Sequence, residues 1–388
     1  DAPFLFNGEG LGEATAPILL WPHQQVTARE LIEKFPARFL LCSEVGLGKT
    51  MEAGMALRQL LLSGKVKRCL ILTHRSVARQ WQEELYEKMG LNVPLYDGKT
   101  FTDYFHSPLP GDGGNPWAAH PIFIASSQLA KRRERQEELL AAPFWDLVIL
   151  DEAHHARRKD FLDDRRRPNR LLELLEGTGG KPGLATKTKG LLMLTATPMQ
   201  IHPMEVWDLL KSLGLGGRWE AAEENFLKFF EELRNPAVER IDWDFVMALF
   251  DDAMATGTEP DDLFVRMAER DLGPVEWAEI RNLHTSRKKA VLLKQLSPEA
   301  HRYLIRMVKL HTPLRRLMRR STRRLLRTYR EKGLLKDTVP VRHPVLVWIA
   351  MAEDERKLYE RIEEYFSDFY QKYESERKGL GFVMTVYR

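Results

Sequence analysis

Phe39-Leu40-Leu41-Cys42, followed by Ser43-Glu44-Val45-Gly46-Leu47-Gly48-Lys49-Thr50, is an apolar run feeding a glycine-rich turn that ends in Lys-Thr. Such a strand–loop–helix junction is the sequence form of a phosphate-binding loop. Its backbone N–H groups can cradle phosphate oxygens, and the helix that follows adds the positive end of its dipole. There Lys49 reaches the terminal phosphates and the Thr50 hydroxyl holds Mg²⁺. The first position is Ser43 where glycine is usual, and alone the stretch also fits an ordinary glycine-rich turn.

Two later stretches carry the other half of such a site. Phe144-Trp145-Asp146-Leu147-Val148-Ile149-Leu150 reads as a buried parallel strand and ends in Asp151-Glu152-Ala153-His154. Carboxylates at the C-terminal end of a buried strand lie where ligands bind in open α/β sheets. Asp151 would hold the Mg²⁺ water shell and Glu152 would orient or deprotonate an attacking water. Read alone, the pair is also a helix-capping sequence. Leu191-Leu192-Met193-Leu194 then leads into Thr195-Ala196-Thr197-Pro198. The two hydroxyls either couple the metal site to a neighbouring surface or form a turn that Pro198 closes.

In this order the three elements resemble the superfamily 2 helicase-like ATPases, specifically their SWI/SNF-type branch. The Val-Gly-Leu-Gly-Lys-Thr and Asp-Glu-Ala-His-His-Ala-Arg-Arg wording is similar to RapA-like and phage-defence-associated bacterial members. The resemblance is specific over residues 20–200 and looser beyond. It implies ATP and Mg²⁺ as cofactors, with Glu44, Val45, Gly46, Leu47, Gly48, Lys49 and Thr50 around the nucleotide. Trp21-Pro22-His23-Gln24 resembles the upstream glutamine motif, which implies that Gln24 reads the adenine edge. Leu70–Arg75 and Ile122–Gln128 sit where two loops touch the nucleic-acid backbone, implying Thr73, Arg75, Ser126 and Ser127 as contacts.

Composition bounds these readings. The chain has 388 residues, 44% hydrophobic and 29% charged, enough for two or three compact globular units. Its net charge of +4 comes from 59 Lys and Arg against 55 Asp and Glu, which excludes a general polycation and makes any basic surface local. Cys42 and Cys69, the only cysteines, lie in apolar runs and read as buried reduced thiols of a cytoplasmic protein. The longest apolar stretch, Val345 to Ala352, is far below the ~20 residues that span a bilayer, so no membrane partner is expected. The start, Asp1-Ala2-Pro3-Phe4, has no signal pattern and no Met, and the chain is expected to come from a longer one.

Along residues 1–200, short apolar runs alternate with helical stretches such as Thr50–Leu62 and Val77–Lys88. That pattern predicts an α/β fold, a RecA-like parallel sheet with crossover helices. Residues 106–120 read as a surface loop. Arg157, Arg158, Lys159, Arg165, Arg166, Arg167 and Arg170 form a basic insertion, either a solvated connecting helix or a nucleic-acid-facing loop. Residues 201–340 read as a helical protrusion, and 341–388 as the linker and the start of a second lobe. From Leu314 to Lys332, eight arginines recur at helical spacing, Arg319 and Arg323 among them. They are expected either to touch phosphate or a partner lobe, or to pair with acidic helices upstream.

The expected function is an ATPase that translocates on double-stranded DNA. Its partners would be the duplex, a second RecA-like lobe and other subunits of a complex. The family's paired arginines do not occur before Arg388, and such an arginine is worth on the order of 10³–10⁵ in turnover. Weak hydrolysis by this chain alone is therefore expected. An RNA or DNA strand-separating helicase and a nucleotide-dependent switch or scaffold are the alternatives.

Overall fold

The apolar runs named above become the middle of a twisted sheet because both of their faces are covered by helices. In a computed structural model, residues 10–111, 113–158, 167–199, 202–234, 240–255, 262–283, 286, 289–337, 345, 347 and 349–375 are described. In chain order the strands are β1 (Arg38–Leu41), β2 (Cys69–Thr73), β3 (Leu95–Tyr96), β4 (Phe101–Thr102), β5 (Pro108–Leu109), β6 (Ile122–Ser126), β7 (Trp145–Asp151), β8 (Gly177–Thr178), β9 (Lys181–Pro182), β10 (Thr188–Leu194) and β11 (Met318–Arg319). Nine of them form one sheet in the order β11-β1-β10-β7-β2-β6-β3-β4-β5, and β8 and β9 make a separate hairpin. All pairings from β11 to β3 are parallel; only β3-β4-β5 is antiparallel. The fold is α/β.

Side chains alternate across this sheet. Phe39, Leu41, Ile71, Ile149, Leu192 and Leu194 pack on one face with helices Pro22–Glu33, Lys49–Leu62 and Ala78–Met89. Leu40, Leu72, Val148, Leu150, Leu191 and Met193 face the other way. Their core runs on without a break into helices Met204–Ser212, Glu223–Glu232, Trp243–Ala255 and Pro298–Leu310. Asp1–Thr338 accordingly forms one compact unit and Val339–Arg388 a second, which contains helix Glu353–Ser375.

Two segments differ from their sequence reading. Residues 106–120 are not only surface loop, because β5 and a short helix, Pro116–Ala119, lie within them and Trp117 is fully buried. Leu314–Lys332 is not one helix. It is split into helix Pro313–Leu317, strand β11 and helix Arg323–Glu331, because the free edge of β1 captures Met318 and Arg319. Both cysteines are free and buried, and burial pushes the Cys42 thiol up to about 12. Among the described residues no helix is long and apolar enough to cross a membrane.

Candidate nucleotide-binding site

Register brings the three motifs together. Leu41 pairs with Leu194, Leu194 with Asp151, and Leu150 with Leu72, so β1, β10, β7 and β2 end at one level of the sheet. The chain leaves β1 into Ser43–Thr50, with Gly46 at φ 81° and Gly48 at φ 85°. These left-handed conformations favour glycine and turn the loop back on itself. Gly48 then caps helix Lys49–Leu62, with no side chain bonded to the helix's first N–H groups. Those groups stay available to an anion.

An open cleft of about 570 Å³ lies against this loop, lined by Gln24, Gly46, Lys49, Thr50, Trp81, Asp151 and Glu152 among others. Lys49 Nζ donates to Ser43 O at 2.9 Å, so the ammonium folds onto its own loop. Gln24 is committed at both ends of its amide. Its Oε1 accepts from Trp21 N at 2.9 Å and its Nε2 donates to Leu47 O at 3.0 Å. His23 Nε2 donates to the same carbonyl at 2.9 Å.

Across the cleft, Asp151 accepts from Trp81 Nε1 at 2.8 Å and from Glu152 N at 2.9 Å. Burial raises the Asp151 pKa above the usual carboxylate range, and these two donors oppose the rise. Glu152 sits at φ 50°, a left-handed conformation uncommon for a residue with a side chain. His154 Nδ1 lies 3.1 Å from Glu152 Oε2 and 2.9 Å from Thr195 Oγ1. The His154 hydrogen bond lowers the Glu152 pKa, with Lys49 adding a smaller pull. Thr195 Oγ1 also accepts from Thr197 N at 3.1 Å, which ties the Thr-Ala-Thr turn to the acidic motif.

The residues expected at a nucleic-acid surface divide. Thr73 and Ser126 are paired in register, so their loops emerge side by side, and Arg75 N donates to Gln128 Oε1 at 3.0 Å between them. Arg75 is exposed. Thr73 is buried with its hydroxyl donated to His74 O, Ser127 is buried, and Ser126 Oγ caps a helix by accepting from Leu129 N. Arg319 and Arg323 are instead held by carboxylates of the chain itself. Arg319 pairs with Glu30, and Arg323 Nη1 donates to Glu44 Oε2 at 3.1 Å. Of the two expectations for this segment, pairing with upstream carboxylates holds for these two arginines, with Glu30 in helix Pro22–Glu33 and Glu44 in the loop after β1. Arg157 pairs with Glu205, and Arg158 with Asp208 and Glu223, so this end of the basic insertion faces the helical region. Lys159, Arg165 and Arg166 lie outside the described residues.

Sequence reading passed over Glu52, and it marked Gln80-Trp81 only as the end of the stretch that resembles a nucleic-acid-contacting loop. Trp81 follows the Leu-Ile-Leu-Thr-His-Arg stretch, but only the fold sets it against Asp151. Glu52, one turn into the loop's helix, is fully buried with neither carboxylate oxygen in hydrogen-bond geometry with a partner. Burial pushes it up to about 8, against the pull of Lys49 and the Thr27 and Ser43 hydroxyls.

Residues 18–200 match the protein family described as type III restriction enzyme, res subunit. The RNA polymerase-associated protein RapA of Yersinia enterocolitica is 36% identical over 182 residues, 47% of this chain and 17% of that protein's length. Two solved structures are similar at lower identity. The Sulfolobus solfataricus SWI2/SNF2 ATPase core in complex with dsDNA is 14% identical with a TM-score of 0.41, covering 72% of this chain and 64% of that one. The Pyrococcus furiosus Hef helicase domain is 16% identical with a TM-score of 0.37, covering 81% and 73%. The family match and the RapA likeness thus each cover just under half of this chain, and the chain spans only about a sixth of the RapA length.

Proposed function

We propose that the chain is the nucleotide-binding half of a motor that hydrolyses ATP with Mg²⁺ and translocates on double-stranded DNA. The common level at which β1, β7 and β10 end supports this, because it sets Lys49, Asp151 and Glu152 around one cleft, with buried Thr195 behind them bonded to His154. In this reading the N–H groups of Gly46–Thr50 hold the phosphates, and Lys49 exchanges Ser43 O for phosphate oxygen. Thr50 and Asp151 hold Mg²⁺, which when bound draws charge from the phosphate oxygens. An uncapped helix start, a hydroxyl and a buried carboxylate suit that pair of ligands. Glu152, kept ionised by His154, orients the attacking water. Gln24 reads adenine by giving up Leu47 O, and Thr195 and Thr197 carry the state of the acidic motif to the neighbouring surface.

Duplex contact is assigned to the paired loops after β2 and β6, led by exposed Arg75, with Thr73, Ser126 and Ser127 shaping them. The arginine that completes hydrolysis comes from a second lobe. Turnover measured with duplex DNA, single-stranded DNA and RNA tests the reading. Preferential stimulation by duplex DNA, lost on Lys49→Ala, is the expected result. Stimulation by RNA or single strands alone would favour a strand-separating helicase, and none at all a nucleotide switch or scaffold.

A further inference from the structure

The phosphate loop is tied to a segment far from it in sequence. β11 pairs with β1 through Leu40–Met318 and Leu41–Arg319, and the pairing continues past both strands. Cys42 N donates to Arg319 O at 2.7 Å and Glu44 N to Ser321 O at 3.1 Å. Ser321 N donates to Ser43 Oγ at 3.3 Å. Arg323 closes the set: its backbone N and Nη1 donate to Glu44 Oε2 at 3.3 and 3.1 Å, and Nη2 donates to Val45 O at 2.7 Å. Cys42 N, Ser43 Oγ, Glu44 N, Glu44 Oε2 and Val45 O therefore all meet Arg319–Arg323, immediately before the glycines. Ser43 has a use here that glycine could not supply, since its hydroxyl is one of the anchors.

We propose that Arg319–Arg323 is a strap built onto the phosphate loop and that Arg323 is a positioning residue for nucleoside triphosphate binding. The inference rests on the nucleotide-site reading above. Glu44 places a half-exposed carboxylate two residues before Gly46, where it would repel a polyphosphate. Arg323 pairs that charge and holds Val45 O, and its Nη2 lies 3.7 Å from where a Cβ on Gly46 would be. It thus turns an unfavourable acidic approach into a neutral one and fixes the loop's entry. The strap follows directly on helices Pro298–Leu310 and Pro313–Leu317, so a shift of those helices would move Arg323 and change the affinity of the cleft.

Binding of a fluorescent ATP analogue to the 388-residue chain, with thermal unfolding in parallel, tests the proposal. Arg323→Ala should weaken binding about tenfold or more, the size of one charged hydrogen-bonded pair. Arg323→Lys should keep part of the affinity. The charge argument makes a sharper demand: adding Glu44→Gln to Arg323→Ala should recover most of the binding, which a purely structural prop would not allow. Wild-type affinity in Arg323→Ala, or no recovery in the double variant, overturns the proposal if Lys49→Ala abolishes binding. If Lys49→Ala leaves binding intact, the nucleotide-site reading itself fails and the strap falls with it.

Discussion

The indole N–H of Trp81 donates to Asp151 Oδ2 at 2.8 Å, joining the helix after β2 to the acidic motif at the end of β7. Trp81 is buried, so the bond is made where solvent cannot replace it. It gives one oxygen of Asp151 a fixed donor while Glu152 N holds the other.

Trp81→Phe keeps most of the ring and removes the donor. A hydrogen bond to a charged group is worth about 1.5–3 kcal/mol, or about one to two pH units. Asp151 is already raised by burial, and losing an opposing donor raises it further. The acid limb of the pH–rate profile should move to higher pH and the Mg²⁺ concentration for half-maximal turnover should rise. An unmoved acid limb would mean that Asp151 does not titrate in the reaction.

Gly48→Ala should remove nucleotide binding. At φ 85° a side chain is strained, and its Cβ would stand 2.3 Å from Gln24 Nε2. Gly64, at φ 69° with nothing within 4 Å of a built Cβ, provides the control for strain alone. Gly64→Ala should cost about 1 kcal/mol and leave binding intact. Gly48→Ala should cost more and release the Gln24–Leu47 bond. Thermal unfolding and analogue binding of both variants give the comparison, and equal losses would remove Gln24 from the account.

What the sequence made legible was local. Each motif follows a run such as Leu147–Leu150 or Leu191–Leu194, and such runs become buried strands wherever helices cover both faces. Helices Met204–Ser212 and Trp243–Ala255 were visible in apolar spacings of three and four. The break at Met318–Arg319 was not visible, because arginine spacing fits a helix on both sides and the strand is imposed by the open edge of β1. Hydroxyls at 73 and 127 could be read, but their burial could not. Trp81 and Glu52 look like core and surface positions of helices until the fold sets them beside Asp151 and Lys49.

Arg158 tests how the helical region is held to the acidic motif. Its Nη2 lies 2.9 Å from Asp208 Oδ1, and its guanidinium lies over the Trp207 ring at 5.2 Å. Burial pushes Asp208 up to about 6, with Arg158 the main opposing charge. A raised folded pKa means stability that is present below about pH 3.8 and lost as pH rises through 6. Arg158→Leu takes away the opposing charge and leaves a buried anion, at a cost of about 3–5 kcal/mol at pH 8. At pH 5, where the carboxyl is already largely protonated, the loss should be smaller. Unfolding midpoints at the two pH values should therefore diverge from wild type, and adding Asp208→Asn should restore most of the loss.

Glu52 gives a larger pH effect than Asp208. Its folded pKa of about 8 lies above the ordinary 4.5 because the carboxyl is buried beside the Ser43–Thr50 loop. Between those values the folded chain holds a proton that the unfolded chain releases. Stability from this group is thus complete below pH 4.5 and declines as pH rises through 8, by up to about 1.4 kcal/mol per pH unit. Glu52→Gln keeps the shape and removes the proton. Its amide can still meet the Thr27 and Ser43 hydroxyls that lie beside the carboxylate. The variant should match wild type near pH 5 and unfold at a higher temperature at pH 8, with a flatter dependence between. A variant profile parallel to wild type across that window would show that Glu52 carries its charge throughout and that Lys49, one turn back on the same helix, compensates it fully.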